Sequence, residues 1–457
     1  MTYHFKPCDR DQLFLLPPSL KEWLPEEHLA WFVLDTISLM DLSQLYQHYR
    51  ADGWGSAAYE PGMMVALLIY SYCLGERSSR QIERLCQVDI AYRILAANQL
   101  PDHSTIARFR RNHLKLLEAI FVEMLKLCHQ AGLVKLGVTA LDGTKIQGNT
   151  SLSSNKTHER IAREVAKMLE EAERIDAEED RRYGKNNNGD HVPDNLRHRE
   201  ERLKRLKQCK EELEKEAQAR EDESKEKQAV RDETEKVTGK KARGKAAKPV
   251  MAEEEKQRMK RNITDPDSKP MKNFRGFVQG YNGQAVATEE QIIIAAELTN
   301  DCNDQKQVEP MIEAIATTLH EANIEDKCET LLMDAGYCSE TNLALEEKKK
   351  IEFIVSTKQD AKQRKELGQE DENETKNLPE PKNLKEKMAR KLKTERGGQL
   401  YKKRGGIIEP VFGQIKTCLK FTRFSMRGLE ACKAEWKFIC GIHNMMKLYR
   451  KQRLQLA

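Results

Sequence analysis

The sequence predicts an α/β domain preceded by an all-α N-terminal domain and interrupted by long charged, mainly helical insertions. Three observations carry this expectation. Apolar residues recur at helical spacing through residues 1–130, strand-like and helix-like segments alternate from Leu136 onward, and two very polar stretches, 153–261 and 358–396, fall inside that alternation. A chain of 457 residues has room for two or three folded units, yet hydrophobic residues make up only 39% and charged residues 33%, so part of it builds no core.

In the N-terminal part, Met63, Leu67 and Leu68 keep helical spacing, and Ser78-Ser79-Arg80-Gln81 has the form of a capping box opening a helix with Ile82, Leu85 and Cys86 inward. After the Pro101-Asp102 break, Ser104 is placed to cap a second helix whose stripe is Ile106, Phe109, Leu114, Leu117, Phe121 and Met124. Two capped helices across a loop suggest a helix-turn-helix-like module, with Arg108, Arg110 and Arg111 crowding the second helix where DNA phosphates or base edges would be met. An ordinary helical bundle with a cationic surface fits the same spacing.

From Leu136 the period changes. Gly137–Ile146 reads as a strand carrying Asp142, and residues 161–260 then hold 53 charged residues and one aromatic, Tyr183. That stretch predicts a long solvated helix or helical hairpin, broken near Gly184–Asp194 and followed by a basic link near Gly239–Lys248. Alternation resumes at Phe274. Strands are expected at Phe274–Ala287, Gln291–Leu298, Thr330–Met333 and Ile351–Thr357, with helices at Val308–Leu319 and Glu340–Lys348. A second charged stretch, roughly Lys358–Arg396, precedes Tyr401–Lys420.

Charge is distributed unevenly. Residues 382–457 carry 20 Lys and Arg against 5 Asp and Glu, a local balance of +15, whereas the whole chain sums to +5. A basic C-terminal part points to a polyanion partner, nucleic acid before membrane, or to a solvated basic face. The 11 cysteines are odd in number and never spaced C-x-x-C, so reduced core thiols are expected. The longest dense apolar run, Met63 to Cys73, is too short to span a bilayer, and residues 1–16 lack the form of a secretory signal. A cytoplasmic protein with no membrane partner is the expectation. His443 reads as a packed or surface histidine, and Trp436 and Phe438 as core aromatics.

Asp142 and Asp334 occupy equivalent settings, each after a buried-looking strand and each followed within two residues by glycine. Carboxylates gathered at strand ends repel one another and rise in pKa unless a divalent cation neutralises them. Glu409, after Gly405-Gly406 and before Pro410, is expected in the first turn of a helix through Phe412, Ile415 and Leu419, sharing a face with Lys416 two turns on. Two Asp and one Glu could hold two Mg²⁺ ions about 4 Å apart for phosphodiester displacement. Each carboxylate taken alone reads equally as a surface acid or a cap.

Ala140-Leu141-Asp142-Gly143-Thr144, Met333-Asp334-Ala335-Gly336-Tyr337 and Tyr401 through Lys416 resemble the three catalytic blocks of DDE transposases from bacterial insertion sequences. Thr264–Lys269 and Gly280-Tyr281-Asn282-Gly283-Gln284 are similar to the segment those enzymes place between their first two Asp. Pro101–Arg110, with the Arg77–Arg84 helix before it, resembles their InsH-type N-terminal domain.

The resemblance implies an RNase H-like catalytic domain, split over 131–152, 262–357 and 397–457. It also implies a helical DNA-binding domain at 1–130, and it covers most of the chain except the charged insertions at 153–261 and 358–396. It implies Asp142, Asp334 and Glu409 as the catalytic, metal-binding residues, with Mg²⁺ as cofactor and Mn²⁺ as substitute. The metals would serve cleavage at the element's ends, then attack of the freed 3′-hydroxyl on target DNA. Tyr401, Arg404 and Lys416 match positions that contact element-end phosphates, although four residues separate Arg404 from Glu409 where the usual pattern has three. The implied partners are the terminal inverted repeats, target DNA and a second copy in the synaptic complex, in a prokaryotic, nucleoid-associated setting. An RNase H-like nuclease without strand transfer, or a non-catalytic DNA-binding relative, are the alternatives.

Overall fold

Caps and breakers set the N-terminal helices in the computed structural model, which describes residues 20–47, 49, 58–183, 194–238, 251–273, 276–357 and 381–456. Helix α1 spans Leu29–Ser38, α2 Pro61–Cys73, α3 Ser79–Val88, α4 Ile90–Leu95, α5 His103–Asn112 and α6 Leu114–Gln130. Glu60 accepts from the Gly62 amide at 3.0 Å with Pro61 at the first helical position, and Ser78 accepts from Gln81 as the capping box predicts. The cap of α5 is Asp102 rather than Ser104, because its carboxylate reaches the Ser104 and Thr105 amides at 2.9 and 3.0 Å. The expected single stripe from Ile106 to Met124 divides at His113, which leaves helical geometry and separates α5 from α6. α3 packs against α5 with α4 between them in sequence.

The strands are β1 Val138–Gln147, β2 Asn155–Thr157, β3 Lys260–Asn262, β4 Lys269–Asn273, β5 Gly276–Thr288, β6 Ile293–Thr299, β7 Thr330–Met333 and β8 Glu352–Val355. β5 runs antiparallel to β1. Its first part pairs with β4 and its second with β6 on the other side. β7 lies parallel to β1 and β8 parallel to β7, giving the order β6-β5-β1-β7-β8. Side chains alternate between two cores, as the pleat demands. Ala140, Ala285, Leu332 and Ile354 face one, and Leu141, Val286, Leu331, Met333 and Phe353 the other.

The insertion after β1 is the helical hairpin its composition predicts. Helices α7 (His158–Tyr183) and α8 (Asp194–Thr238) rise from the small β2–β3 ribbon, where Ile161, Val165, Leu206, Cys209 and Leu213 make a core of their own. The expected break at 184–194 and link at 239–248 lie almost wholly outside the described residues.

Helix α9 (Val308–Glu321) covers the second core with Val308, Met311, Ile312 and Ile315. Part of the second charged stretch, 358–380, lies outside the described residues, but its end is helix α10 (Leu384–Lys393), not a solvated excursion. Met388 and Leu392 of α10, one turn apart, are buried, while Lys391 bonds Glu346 and the Phe353 carbonyl.

Helix α11 (Glu395–Gly413) passes straight through Gly405-Gly406, so Glu409 sits in its last turns rather than in a first turn. Pro410 cannot bond the Gly406 carbonyl. Gln291 Nε2 donates to that carbonyl instead, at 3.0 Å. A π-helical turn, Gln414–Cys418, follows, and helix α12 (Leu429–Leu456) packs against α6 and β6.

The N-terminal helices and the sheet share the first core. Across it Glu435, fully buried, accepts from Tyr72 Oη at 2.8 Å and Ser425 Oγ at 2.6 Å. Trp436 and Phe438 are buried, and His443 donates to the Gln291 carbonyl at 2.9 Å. Seven of the ten described cysteines are buried and none of the ten is paired. No described helix is long and apolar enough to cross a membrane.

Candidate active site

Parallel pairing of β1 with β7 places the two aspartates. The register runs Val138↔Thr330 to Ala140↔Leu332, so two residues further Asp142 and Asp334 stand level on adjacent strands. They have the parity of Ala140 and Leu332, toward the core on which α11 packs. Asp142 accepts from the Gly143 amide at 2.8 Å and Asp334 from the Gly336 amide at 2.9 Å, so the glycines that follow help to fix both carboxylates.

α11 brings up the third block. Arg404 Nη1 donates to Asp142 Oδ2 at 2.9 Å, and its Nη2 lies 3.9 Å from Glu409 Oε1. The Glu409 side chain is 67% exposed against 20% for Asp142, so the guanidinium, itself 14% exposed, bridges a sunken carboxylate and a solvated one. Lys416, expected to share a helical face with Glu409, instead stands in the π-helical turn. Its Nζ donates to Thr144 Oγ1 at 2.5 Å on the strand that carries Asp142. Tyr401 is half-buried against the first core, one turn before Arg404.

Burial pushes Asp142 above the usual carboxylate range. Arg404 draws it back without cancelling the effect, and Asp334 adds to the rise. Asp334 is raised by burial in the same way, and Asp304 adds to it. Burial lowers Lys416. The site thus holds more negative charge than its surroundings solvate.

Asp304 was not singled out in the sequence. It follows β6 and accepts from Asn282 Nδ2 at 2.6 Å, Gln284 Nε2 at 2.8 Å and Lys145 Nζ at 3.3 Å. Gln284 in turn accepts from Tyr337 Oη at 2.5 Å. Asn282 and Gln284 have the parity of Val286, opposite to that of Asp142 and its partner Ala285, so this part of β5 forms with Asp304 a wall behind the site, on the other face of the sheet. A Cβ on Gly143 would stand 2.6 Å from Asp304 Oδ1, and one on Gly283 would stand 2.9 Å from the Trp436 ring. Two side-chain amides at alternate positions of one strand were the available signal, since both need acceptors when buried.

The three arginines of α5 part company. Arg108 and Arg111 are exposed. Arg110, expected at a DNA surface, is 6% exposed and donates to Ser79 Oγ at 2.5 Å, the Arg77 carbonyl at 2.8 Å, Tyr72 Oη at 3.2 Å and Ser425 Oγ at 3.3 Å. Its charge is matched by buried Glu435 through Tyr72 and Ser425, which is why the chain can bury it.

Among the described residues no three His, Cys, Asp or Glu side chains converge to hold a metal ion as they stand. The donor chemistry nevertheless fits a hard divalent cation. Asp142 and Asp334 offer carboxylate oxygens raised in pKa by burial, and Arg404 links Asp142 to Glu409 with a positive charge between the two carboxylates. Residues 18–112 match the family described as Transposase domain (DUF772), and residues 247–445 match Transposase DDE domain. No curated protein and no solved structure gives a significant match.

Proposed function

Because the chain belongs to the DDE transposases of insertion sequences, we propose that it cuts a phosphodiester at the ends of such an element and joins the freed 3′-hydroxyl to target DNA. The observation that carries this reading is the level placement of Asp142 and Asp334 on adjacent parallel strands, with Glu409 linked to Asp142 through Arg404.

Asp142, Asp334 and Glu409 would hold Mg²⁺, or Mn²⁺ in its place. Such ions, when bound, neutralise the carboxylates, activate a water or hydroxyl and stabilise the leaving oxygen. The Gly143 and Gly336 amides orient the aspartates from the backbone side. Asp304, held by Asn282, Gln284 and Lys145, keeps the β5 wall and the Tyr337 hydroxyl in place. Arg404 is set to pass from carboxylate to a phosphate of the element's end. Tyr401 and Lys416 flank it from α11 and the π-helical turn. Residues 1–130 would serve end binding, the split segments 131–152, 262–357 and 397–457 catalysis, and pairing of two ends calls for a homodimer.

The test is nicking of a duplex carrying the element's own terminal repeats, in Mg²⁺ or Mn²⁺. Asp142→Ala, Asp334→Ala and Glu409→Ala should each abolish nicking while duplex binding persists. A variant that still cuts removes its residue from the site. Joined products with wild-type protein separate strand transfer from simple cleavage.

A further inference from the structure

We propose that an arginine-lined groove between the N-terminal helices and the 423–425 segment binds backbone phosphates of duplex DNA about five base pairs from the cutting site. The proposal rests on the DNA-transposition reading above and adds to it a place where the duplex is gripped.

The groove is open, has a volume of about 560 Å³ and is walled by Arg77, Arg80 and Arg423, with Arg110 at its floor. Ser78, Ser79, Ser104 and Asn149 supply neutral polar groups, and no carboxylate lines it. The four guanidiniums differ in what they already do. Arg110 is consumed by the network to Tyr72, Ser79 and Ser425. Arg77 donates to the Leu419 and Lys420 carbonyls at 3.2 and 2.8 Å and lies over the Phe421 ring, so it fixes the facing wall. Among the described residues Arg80 is exposed and has no hydrogen-bond or ion-pair partner, and Arg423 is exposed with a single neutral side-chain partner, Asn149 Oδ1, at 3.1 Å. These two are the charges left for a ligand.

α3 and α5 both begin at this groove, but their first turns are already capped, Gln81 by Ser78 and Ser104 and Thr105 by Asp102, so the exposed guanidiniums are the groups that would meet phosphate. The nearby acids are already engaged: Asp102 caps α5, Glu83 Oε2 lies 2.8 Å from His103 Nδ1, and Glu76 Oε1 accepts from the Ser78 amide at 2.8 Å.

The groove's far wall also joins the catalytic strand. Arg423 bridges to Gln147, the last residue of β1, and the Phe424 amide donates to the Gln147 carbonyl at 2.9 Å. Gln147 lies five strand positions beyond Asp142, about 17 Å. One DNA strand advances about 3.4 Å per nucleotide along the helix axis, so that span is roughly five base pairs. A duplex seated in the groove would enter the site along β1.

The experiment measures binding of a fluorescent duplex by the full chain against salt concentration. The R80Q/R423Q variant should lose about 1.8 from the slope of log affinity against log salt, and bind roughly ten- to hundredfold more weakly at moderate salt. R108Q/R111Q removes two exposed arginines of α5 that lie outside the groove, and should leave a clearly smaller effect. A wild-type slope in R80Q/R423Q overturns the proposal, as does an equal loss in R108Q/R111Q. Tighter binding of an RNA duplex than of DNA also overturns it. Asp142→Ala should keep the wild-type slope. The groove and the catalytic reading therefore fail separately, one by the slope and the other by nicking.

Discussion

Arg404 stands where the site needs positive charge, and its removal gives a measurable sign. Its Nη1 meets Asp142 Oδ2 at 2.9 Å, with both side chains largely out of solvent, so the pair is a shielded, charge-assisted hydrogen bond. Such a bond contributes about 2 kcal/mol, near the low end of its range. A divalent cation taking Asp142 has to break that bond and then share the site with a guanidinium of like sign. Arg404→Met keeps an unbranched apolar stem and deletes both obstacles. The expected result is roughly thirtyfold tighter Mn²⁺ binding by the DNA-free protein, from about 2 kcal/mol at 1.4 kcal/mol per decade. Isothermal titration at pH 8 reads it directly, a pH chosen because Asp142 without its partner rises further and protons compete for it. The same variant should nick more slowly, because the phosphate has lost its arginine. Unchanged or weaker Mn²⁺ binding would refute the placeholder role.

Two other predictions concern the supports of the site. His443 is buried and its pKa is lowered to about 4, chiefly by burial, against an ordinary value near 6.5. The folded state therefore favours neutral imidazole. Its contribution is complete above pH 6.5 and is lost as pH falls from there toward 4, about 2 kcal/mol between pH 7 and pH 5. Urea midpoints at the two pH values should show His443→Gln, which retains a donor for the Gln291 carbonyl, with the smaller loss, and equal losses would remove His443 as the cause. Gly143→Ala drives a Cβ into Gln284 and to 2.6 Å from Asp304 Oδ1, so nicking should fall at least tenfold while stability drops by about 1–3 kcal/mol. Near-normal nicking by that variant would mean that the β5 wall gives way without consequence.

Local chemistry made much of this legible. The Ser78 cap, the strand around Asp142, the strand before Asp334 and the charged hairpin each follow from side chains a few residues apart. Arg110 was not legible as a buried group, because its neutralising partner, Glu435, lies on the last long helix. The Gly405-Gly406 pair reads as a helix break, yet burial of Ile407, Ile408 and Val411 and the Gln291 amide on Gly406 hold the helix through it.

The identities of the three acids, their order and the polarity of the insertions belong to the sequence alone, since they depend on residue type and local spacing. What the acids face was decided by tertiary structure. Asp142 and Asp334, 192 residues apart, become neighbours only through the parallel β1–β7 register. Asp304 enters the site through the turn after β6, and Arg404 occupies the space between carboxylates because α11 packs on β1. Strand pairing and helix docking bring together charges that no local pattern relates, and only then do burial and mutual repulsion raise the pKa values of Asp142 and Asp334.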